Sequence, residues 1–500
     1  MKTYRFAMYL LCGVVAFGAG GAVAHSASGA DLVVLLVGLL VFACVLRYLG
    51  RGGAYAVLAI AAFDLFPGID TATRQLHGGF FVSDVCTYLL IFSLLYEQAA
   101  AGFVAFRRGR ELRLLGLWAA VLLLAWFANL LRSWIFDGVV LLHAYRFGDF
   151  LLYFALLTPL LSASLSNLKV RTNFLYVLGS YTVVIAAATT VSNLHPGAFQ
   201  FLLHASVQDQ QLEGTTVART YAFSAGGLTM LALPFGLGAA LLARDRRLRA
   251  AGALLAVLCA AATLTSLTRG QYIGLLAGVA LPVATWLIWS ARGQRVRRQV
   301  AIAVAAVTVL AALVVFIQPP AVSNSSLSVV ASRITSIPGT LFGGNAQSST
   351  VAYRVYEERV LEGYLGSKWP IGLGFLDPRD RFFVGLPIWD GGSIEDTDVG
   401  LLNTVMIMGV AGAVIQFAPA VVLLLLVLRQ QIFRRTPREV AWLAFGGLGA
   451  MAALCVTSIT LVFFFEPTTI VLCSIAVALP FSALEVRGRS RAMLDPAVVR

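Results

Sequence analysis

Arg269 stands in Thr265-Ser266-Leu267-Thr268-Arg269-Gly270, the whole connection between two long apolar runs. So short a connection cannot lift a charged side chain clear of a bilayer, and ionisable groups at such depth are functional candidates by default. Three hydroxyls beside a guanidinium make a donor-rich pocket, and Gly270 allows close backbone approach. Phosphate suits that chemistry, because a guanidinium binds oxyanions through two parallel hydrogen bonds and keeps its charge in a low dielectric. The alternative is a turn that merely ends two helices. Arg219, in Ala218-Arg219-Thr220-Tyr221 at the head of another apolar run, either snorkels to the bilayer surface or serves the same anion. Glu395-Asp396-Thr397-Asp398, just before a further run, has three uses open to it. It caps a helix N-terminus, it supplies a general base to a hydroxyl nucleophile, or it binds Mg²⁺ or Ca²⁺ through its oxygens.

The elements that must position these groups are hydrophobic helices. The 500 residues are 59% hydrophobic and 12% charged, with a mean hydropathy of +0.84, far outside the range of soluble domains. Basic globular nucleic-acid binding is thereby excluded as the meaning of the +13 charge. All basic residues but Lys2, Lys169 and Lys368 are arginine, which reflects a GC-rich bacterial genome as much as function. About fourteen apolar runs are expected as spans: 6–24, 31–46, 54–67, 79–97, 114–131, 148–166, 174–192, 221–243, 248–267, 270–290, 299–317, 399–428, 440–463 and 467–485. The third ends in Phe66-Pro67-Gly68 and is short enough to be re-entrant. Residues 1–500 form a single all-α polytopic membrane domain.

Basic residues cluster on one set of connections, among them Arg107-Arg108-Gly109-Arg110, the stretch from Arg244 to Arg249, and Arg434-Arg435. The positive-inside rule then puts both termini in the cytoplasm. Met1 to Ala24 resembles a signal peptide ending in Ala22-Val23-Ala24, yet a retained first helix gives the better topology. Three outer connections are long: 132–147, 193–220 and 318–398. The last carries Tyr353, Tyr356, Val360 and Tyr364 at helical spacing, with Arg354, Glu357, Glu358 and Glu362 between them, as in an amphipathic helix lying on the bilayer.

Asp64, Asp84 and Asp149 fall near the outer ends of the third, fourth and sixth runs, either as functional acids or as partners of Arg74, Arg132 or Arg146. His195 and His204 read as surface groups, with no second ligand at metal spacing. The cysteines, Cys12, Cys44, Cys86, Cys259, Cys455 and Cys473, sit in apolar runs without a CxxC pair, so neither a disulfide frame nor a zinc site is expected.

Four stretches together resemble the O-antigen ligase and polymerase family of bacterial inner-membrane glycosyltransferases. Arg219-Thr220-Tyr221-Ala222-Phe223-Ser224-Ala225-Gly226 is similar to the family's arginine-led approach to a mid-chain helix. Thr265 to Gly270 is similar to its turn of small hydroxyls, arginine and glycine. Arg354, followed by Trp369-Pro370-Ile371-Gly372-Leu373-Gly374-Phe375, resembles its arginine-bearing helix and P-x-x-G-x-G-F segment. Asp398 to Gly412 resembles the motif that closes the loop, with Gly409-Val410-Ala411-Gly412 as its G-x-x-G. The likeness covers about 215–430. Where the ligases carry a histidine, eleven residues before the first glycine of that G-x-x-G, this chain has Asp398, which tilts the likeness towards the polymerases.

The resemblance implies a GT-C-type fold, a periplasmic active site, and polymerisation of lipid-linked oligosaccharide repeat units for O-antigen, capsule or exopolysaccharide. It implies no metal and no cofactor. Donor and acceptor would be polyprenyl-pyrophosphate-linked glycans, with membrane lipids around them and a chain-length-regulating membrane protein as a further partner. Arg219, Arg269 and Arg354 would hold the pyrophosphate, and Asp398, or Asp396 or Glu395 in its stead, would be the base. An O-antigen ligase, a peptidoglycan-type glycosyltransferase and a lipid-linked sugar transporter or flippase are the alternatives. The transporter would need broken helices in two corresponding halves.

Overall fold

The computed structural model describes residues 47–66, 81–195, 198–204, 206–212, 215–221, 223–266, 268–290, 362–363, 365–375, 400–432, 438–458 and 467–494. Each apolar run from 54–67 onward coincides with a helix, apart from 299–317, which lies outside these residues together with 6–24 and 31–46. The helices are α1 (47–62), α2 (Val82–Ala100), α3 (Val104–Arg108), α4 (Arg110–Ile135), α5 (Leu141–Leu165), α6 (Leu168–Leu194), α7 (Gln200–Leu203), α8 (Phe223–Leu242), α9 (Arg246–Thr265), α10 (Arg269–Ser290), α11 (Gly400–Ile432), α12 (Arg438–Thr457) and α13 (Pro467–Leu494). Within 47–62 the backbone turns left-handed at Gly50, φ 61°, four residues before the third apolar run begins. Among the described residues six helices are long and apolar enough to cross a membrane by length and composition, and the protein is membrane-embedded.

Lipid-facing surface supports this. On α4, Leu114, Leu117, Val121 and Leu124 lie exposed at helical spacing, and on α11 so do Val410, Val414, Val421 and Leu425. An apolar stripe of that length in water would be a serious liability. Of these six, α5 is the most enclosed, with 89% of its apolar stretch buried against 28% for α4, and α13 is buried throughout 468–484. α2, α4, α6 and α13 surround α5. A second group, α8, α9, α10 and α12, is joined to the first through α6 and α13, while α11 lies on α4 and α12.

Small residues let the second group pack closely, as they do where lipid removes the hydrophobic drive between helices. A Cβ on Gly236 would meet the α9 backbone at Ala256, 2.9 Å away, and one on Gly252 would meet Gly236 O at 2.8 Å. Gly449 nests between Pro234 and Pro282, with Gly278 facing it, so the helix prolines sit where glycine leaves room for their rings. Polar caps start the helices from the arginine-rich side: Asn167 Oδ1 accepts from Lys169 N at 3.0 Å, and Asp245 Oδ1 accepts from Arg247 N at 2.9 Å.

The all-helical bundle is as expected, with one local addition, and one connection is corrected. The connection expected over 132–147 shrinks to a few residues, because α5 begins at Leu141. His143 and Arg146 interrupt the hydropathy there, but Arg146 turns inward to carboxylates and the helix continues through it. The addition to the all-α architecture is local: β1 (Ser206–Leu212) and β2 (Thr215–Tyr221) form an antiparallel hairpin, pairing Gln208 with Arg219. Thr215, Thr216, Val217 and Thr220 give β2 the β-branched character that favours a strand.

Candidate functional site

One end of the bundle gathers the starts of α8, α10 and α11. β2 carries Arg219 directly towards α8, and α10 begins at Arg269. Gly226, near the start of α8, lies against the side-chain amide of the buried Gln271, two residues after Arg269, where a Cβ would collide. Leu401 N, at the start of α11, donates to Ser458 O at 2.9 Å, just past the end of α12. Thr457 Oγ1 packs on Gly274 of α10 and donates to Met230 Sδ of α8 at 3.2 Å. Thus the start of α10, which carries Arg269, and the starts of α8 and α11, which follow Arg219 and Asp398 in the chain, converge. Described for both arginines is the backbone. Arg354, Glu395, Asp396 and Asp398 lie outside the described residues, as does almost all of the amphipathic segment around Tyr353 to Tyr364.

The hydroxyls beside Arg269 are not the donor set expected for an anion. Thr265 Oγ1 donates to the carbonyls of Ala261 and Ala262, Ser266 Oγ donates to Thr263 O at 2.8 Å, and Thr268 Oγ1 donates to Ser266 O at 3.3 Å. The reason is local. The last carbonyls of α9 have no helical N–H, and nearby hydroxyls satisfy them first. Asn193 Nδ2 of α6 donates to Thr265 Oγ1 at 3.0 Å and to Ala262 O at 3.3 Å, fixing that helix end to its neighbour.

Beside it, α11 is broken at Gly409, whose φ of 69° and ψ of −175° leave the helical region. The segment Trp369 to Phe375 fills the break. Leu373 N donates to Met406 O at 2.6 Å and Gly374 N to Ile407 O at 3.0 Å, while Val410 N donates to Trp369 O at 3.0 Å and Ala411 N to Pro370 O at 3.2 Å. An unbroken helix would pair 410 with 406 and 411 with 407. Four bonds to the inserted segment replace those two, so irregular backbone is buried in protein rather than left open to lipid. Gly372 and Gly374, with φ of 73° and 100°, give the segment its two sharp bends.

The segment is also anchored to the first group. Arg132 Nη1 donates to Gly372 O at 3.0 Å, Phe375 N donates to Ser133 Oγ at 2.7 Å, and the buried Phe375 ring covers Gly148. In transporters the freed groups of a broken helix hold ions or substrate. Here the four flanking groups are already taken.

Next to Gly148 lies a buried polar cluster. Arg146 Nη1 contacts Asp84 Oδ2 at 2.6 Å and Asp149 Oδ2 at 2.9 Å, so both acids pair with one of the three arginines weighed for them. Tyr153 OH donates to Asp84 Oδ1 at 3.2 Å, and Tyr88 and Tyr145 share a hydroxyl contact close by. Asp64, at φ 61°, faces His204 Nδ1 at 3.2 Å, and Arg74, one of the arginines weighed for it, lies outside the described residues. The expectation that His204 is a surface group is therefore wrong, since 6% of its side chain is exposed; His195 is exposed as expected. A hydropathy profile carries no sign of that pair, because α7, which ends just before His204, is a single turn. Among the described residues no group of three or more His, Cys, Asp or Glu could hold a metal ion. No family model matches this chain, and no curated protein matches it.

Proposed function

We propose that this chain is a GT-C-type membrane glycosyltransferase that polymerises lipid-linked oligosaccharide repeat units. On this proposal it has about fourteen spans, lies in the bacterial inner membrane with both termini in the cytoplasm, and works at the periplasmic face. The observation that carries the proposal is the docking of 369–375 into the break at Gly409. Those two segments hold two of the four stretches that resemble the polymerases, are separated by a long stretch of sequence, and share four backbone hydrogen bonds. Of the two arginine-bearing stretches, 219–226 lies with its Gly226 against Gln271, the residue that follows 265–270.

In the proposed reaction the acceptor hydroxyl oxygen attacks the anomeric carbon of a polyprenyl-pyrophosphate glycan from the face opposite the phosphate. The carbon–oxygen bond to pyrophosphate breaks, the configuration inverts, and polyprenyl pyrophosphate leaves. Arg219 and Arg269, with Arg354, stabilise the charge growing on that leaving group. Asp398, or Asp396 or Glu395, takes the hydroxyl proton.

The test is polymer formation in proteoliposomes supplied with a polyprenyl-pyrophosphate-linked repeat unit. Arg269→Lys should insert normally and lose most activity, since an ammonium cannot reproduce a bidentate fork. Asp398→Asn keeps a side-chain oxygen for capping but cannot accept the proton, so polymer formation should fall by ~10²–10⁴ while repeat units accumulate. Asp396→Asn and Glu395→Gln are measured alongside. Normal polymer from Arg269→Ala and from the triple acid variant would defeat the proposal.

A further inference from the structure

Asp84 and Asp149 share one guanidinium, and the arithmetic of charge does not close. Both acids are buried, at 1% and 0% exposure, and among the described residues their ion pairs are to Arg146 alone. Two carboxylates and one guanidinium would leave a net negative charge in the low-dielectric interior of a membrane protein, which is costly unless neutralised.

The two acids are not equivalent. Asp84 is fully engaged as an acceptor: Oδ2 receives Arg146 Nη1 at 2.6 Å and Phe81 N at 2.8 Å, and Oδ1 receives Tyr153 OH at 3.2 Å. Such donors favour an ionised carboxylate. Asp149 Oδ2 meets Arg146, while its Oδ1 is buried without a hydrogen-bond partner. An orphaned carboxylate oxygen in such surroundings is an unfilled site.

Among the described residues the surrounding elements bring no second arginine or lysine to the pair. α2 presents Asp84, Cys86 and Tyr88, and α5 presents His143, Tyr145, Arg146, Asp149 and Tyr153. The described side chains of α13 include one titratable group, Cys473; α6 has its charges, Lys169 and Arg171, at the opposite end; Arg132 of α4 is engaged with Gly372 and Asp137.

We propose that Asp149 carries a proton on Oδ1, so that Asp84, Arg146 and Asp149 form a neutral, proton-loaded site beneath the Phe375 anchor. This proposal does not depend on the glycosyltransferase proposal. A proton balances the charge, and a neutral acid is the form that tolerates a buried oxygen without a donor. Gly148, the neighbour of Asp149, is the surface on which Phe375 rests.

Infrared spectroscopy of the purified full chain in lipid at neutral pH tests it. The wild type should show the carbonyl stretch of a protonated carboxyl, displaced on exchange into heavy water. Asp149→Asn should lose that band. Asp84→Asn should lose it too, because Asp149 and Arg146 alone already make a neutral pair. Arg146→Gln leaves two acids and no cation, so its band should grow. Far-ultraviolet circular dichroism checks that each variant keeps its helices, and the wild-type band stands as a test where a variant does not fold. The proposal is overturned if the wild type lacks the band, if Asp149→Asn or Asp84→Asn keeps it, or if it appears only when sodium is withdrawn, which would make the site a metal-cation site.

Discussion

Gly409 combines a positive φ with an extended ψ, a region essentially closed to residues bearing a Cβ. A Cβ there would also run into the backbone of Pro370 and Ile371, which cannot rotate away. Gly409→Ala should therefore cost ~1–3 kcal/mol from backbone strain alone, with a further loss from displacing the inserted segment. Gly179, in α6, has nothing within 4 Å of the point where a methyl group would sit, so Gly179→Ala should be neutral or slightly stabilising. Thermal unfolding of both variants in the same detergent compares them, and equal melting temperatures would mean that docking at Gly409 contributes little. At this scale the sequence shows that a glycine is needed at 409 without showing why. The reason is a backbone passing across it, and backbone hydrogen bonds leave no side-chain signature.

At the scale of elements, glycine sets how closely helices approach. A Cβ on Gly449 would lie 2.6 Å from Pro234 Cβ and 2.6 Å from Pro282 Cγ, and proline rings have no rotamer in which to retreat. Gly449→Ala should thus lower stability by ~1–3 kcal/mol through overpacking of α8, α10 and α12. Gly116→Ala, which would meet only the Phe106 ring at 3.5 Å, should be tolerated. Fluorescence-detected size-exclusion after graded heating would separate the two, and equal survival would argue against tight packing at Gly449. Hydropathy made these helices legible, since a span is a property of about twenty consecutive residues. It concealed the first two turns of α5, where Arg146 reads as polar although its partners are inside. It concealed the hairpin too, because β1 and β2 have no apolar periodicity. The candidate site was legible as four separate stretches; the contact of 369–375 with 406–411 joins residues too distant for any periodicity to reveal.

For the molecule as a whole, topology is the premise on which the proposed chemistry stands. Alternation of the described helices carries the starts of α2, α5, α8, α10 and α11 to one end, and the arginine-rich connections near Arg107 and Arg246 to the other. Since basic connections stay in the cytoplasm, a reporter inserted near residue 340 should read as external and one near residue 295 as cytoplasmic. The reverse result would remove the proposed donor and acceptor from the arginine-bearing end. The break in α11 also bears on biosynthesis. Residues 400–408 provide only ~13 Å of helix, under half of a ~30 Å hydrocarbon core, so this piece cannot span a bilayer by itself. Its partner segment, 369–375, precedes it in the chain and leaves the ribosome first. The complement to the broken helix is therefore made before the break is, and chain order spares α11 from waiting in lipid with unpaired amides and carbonyls.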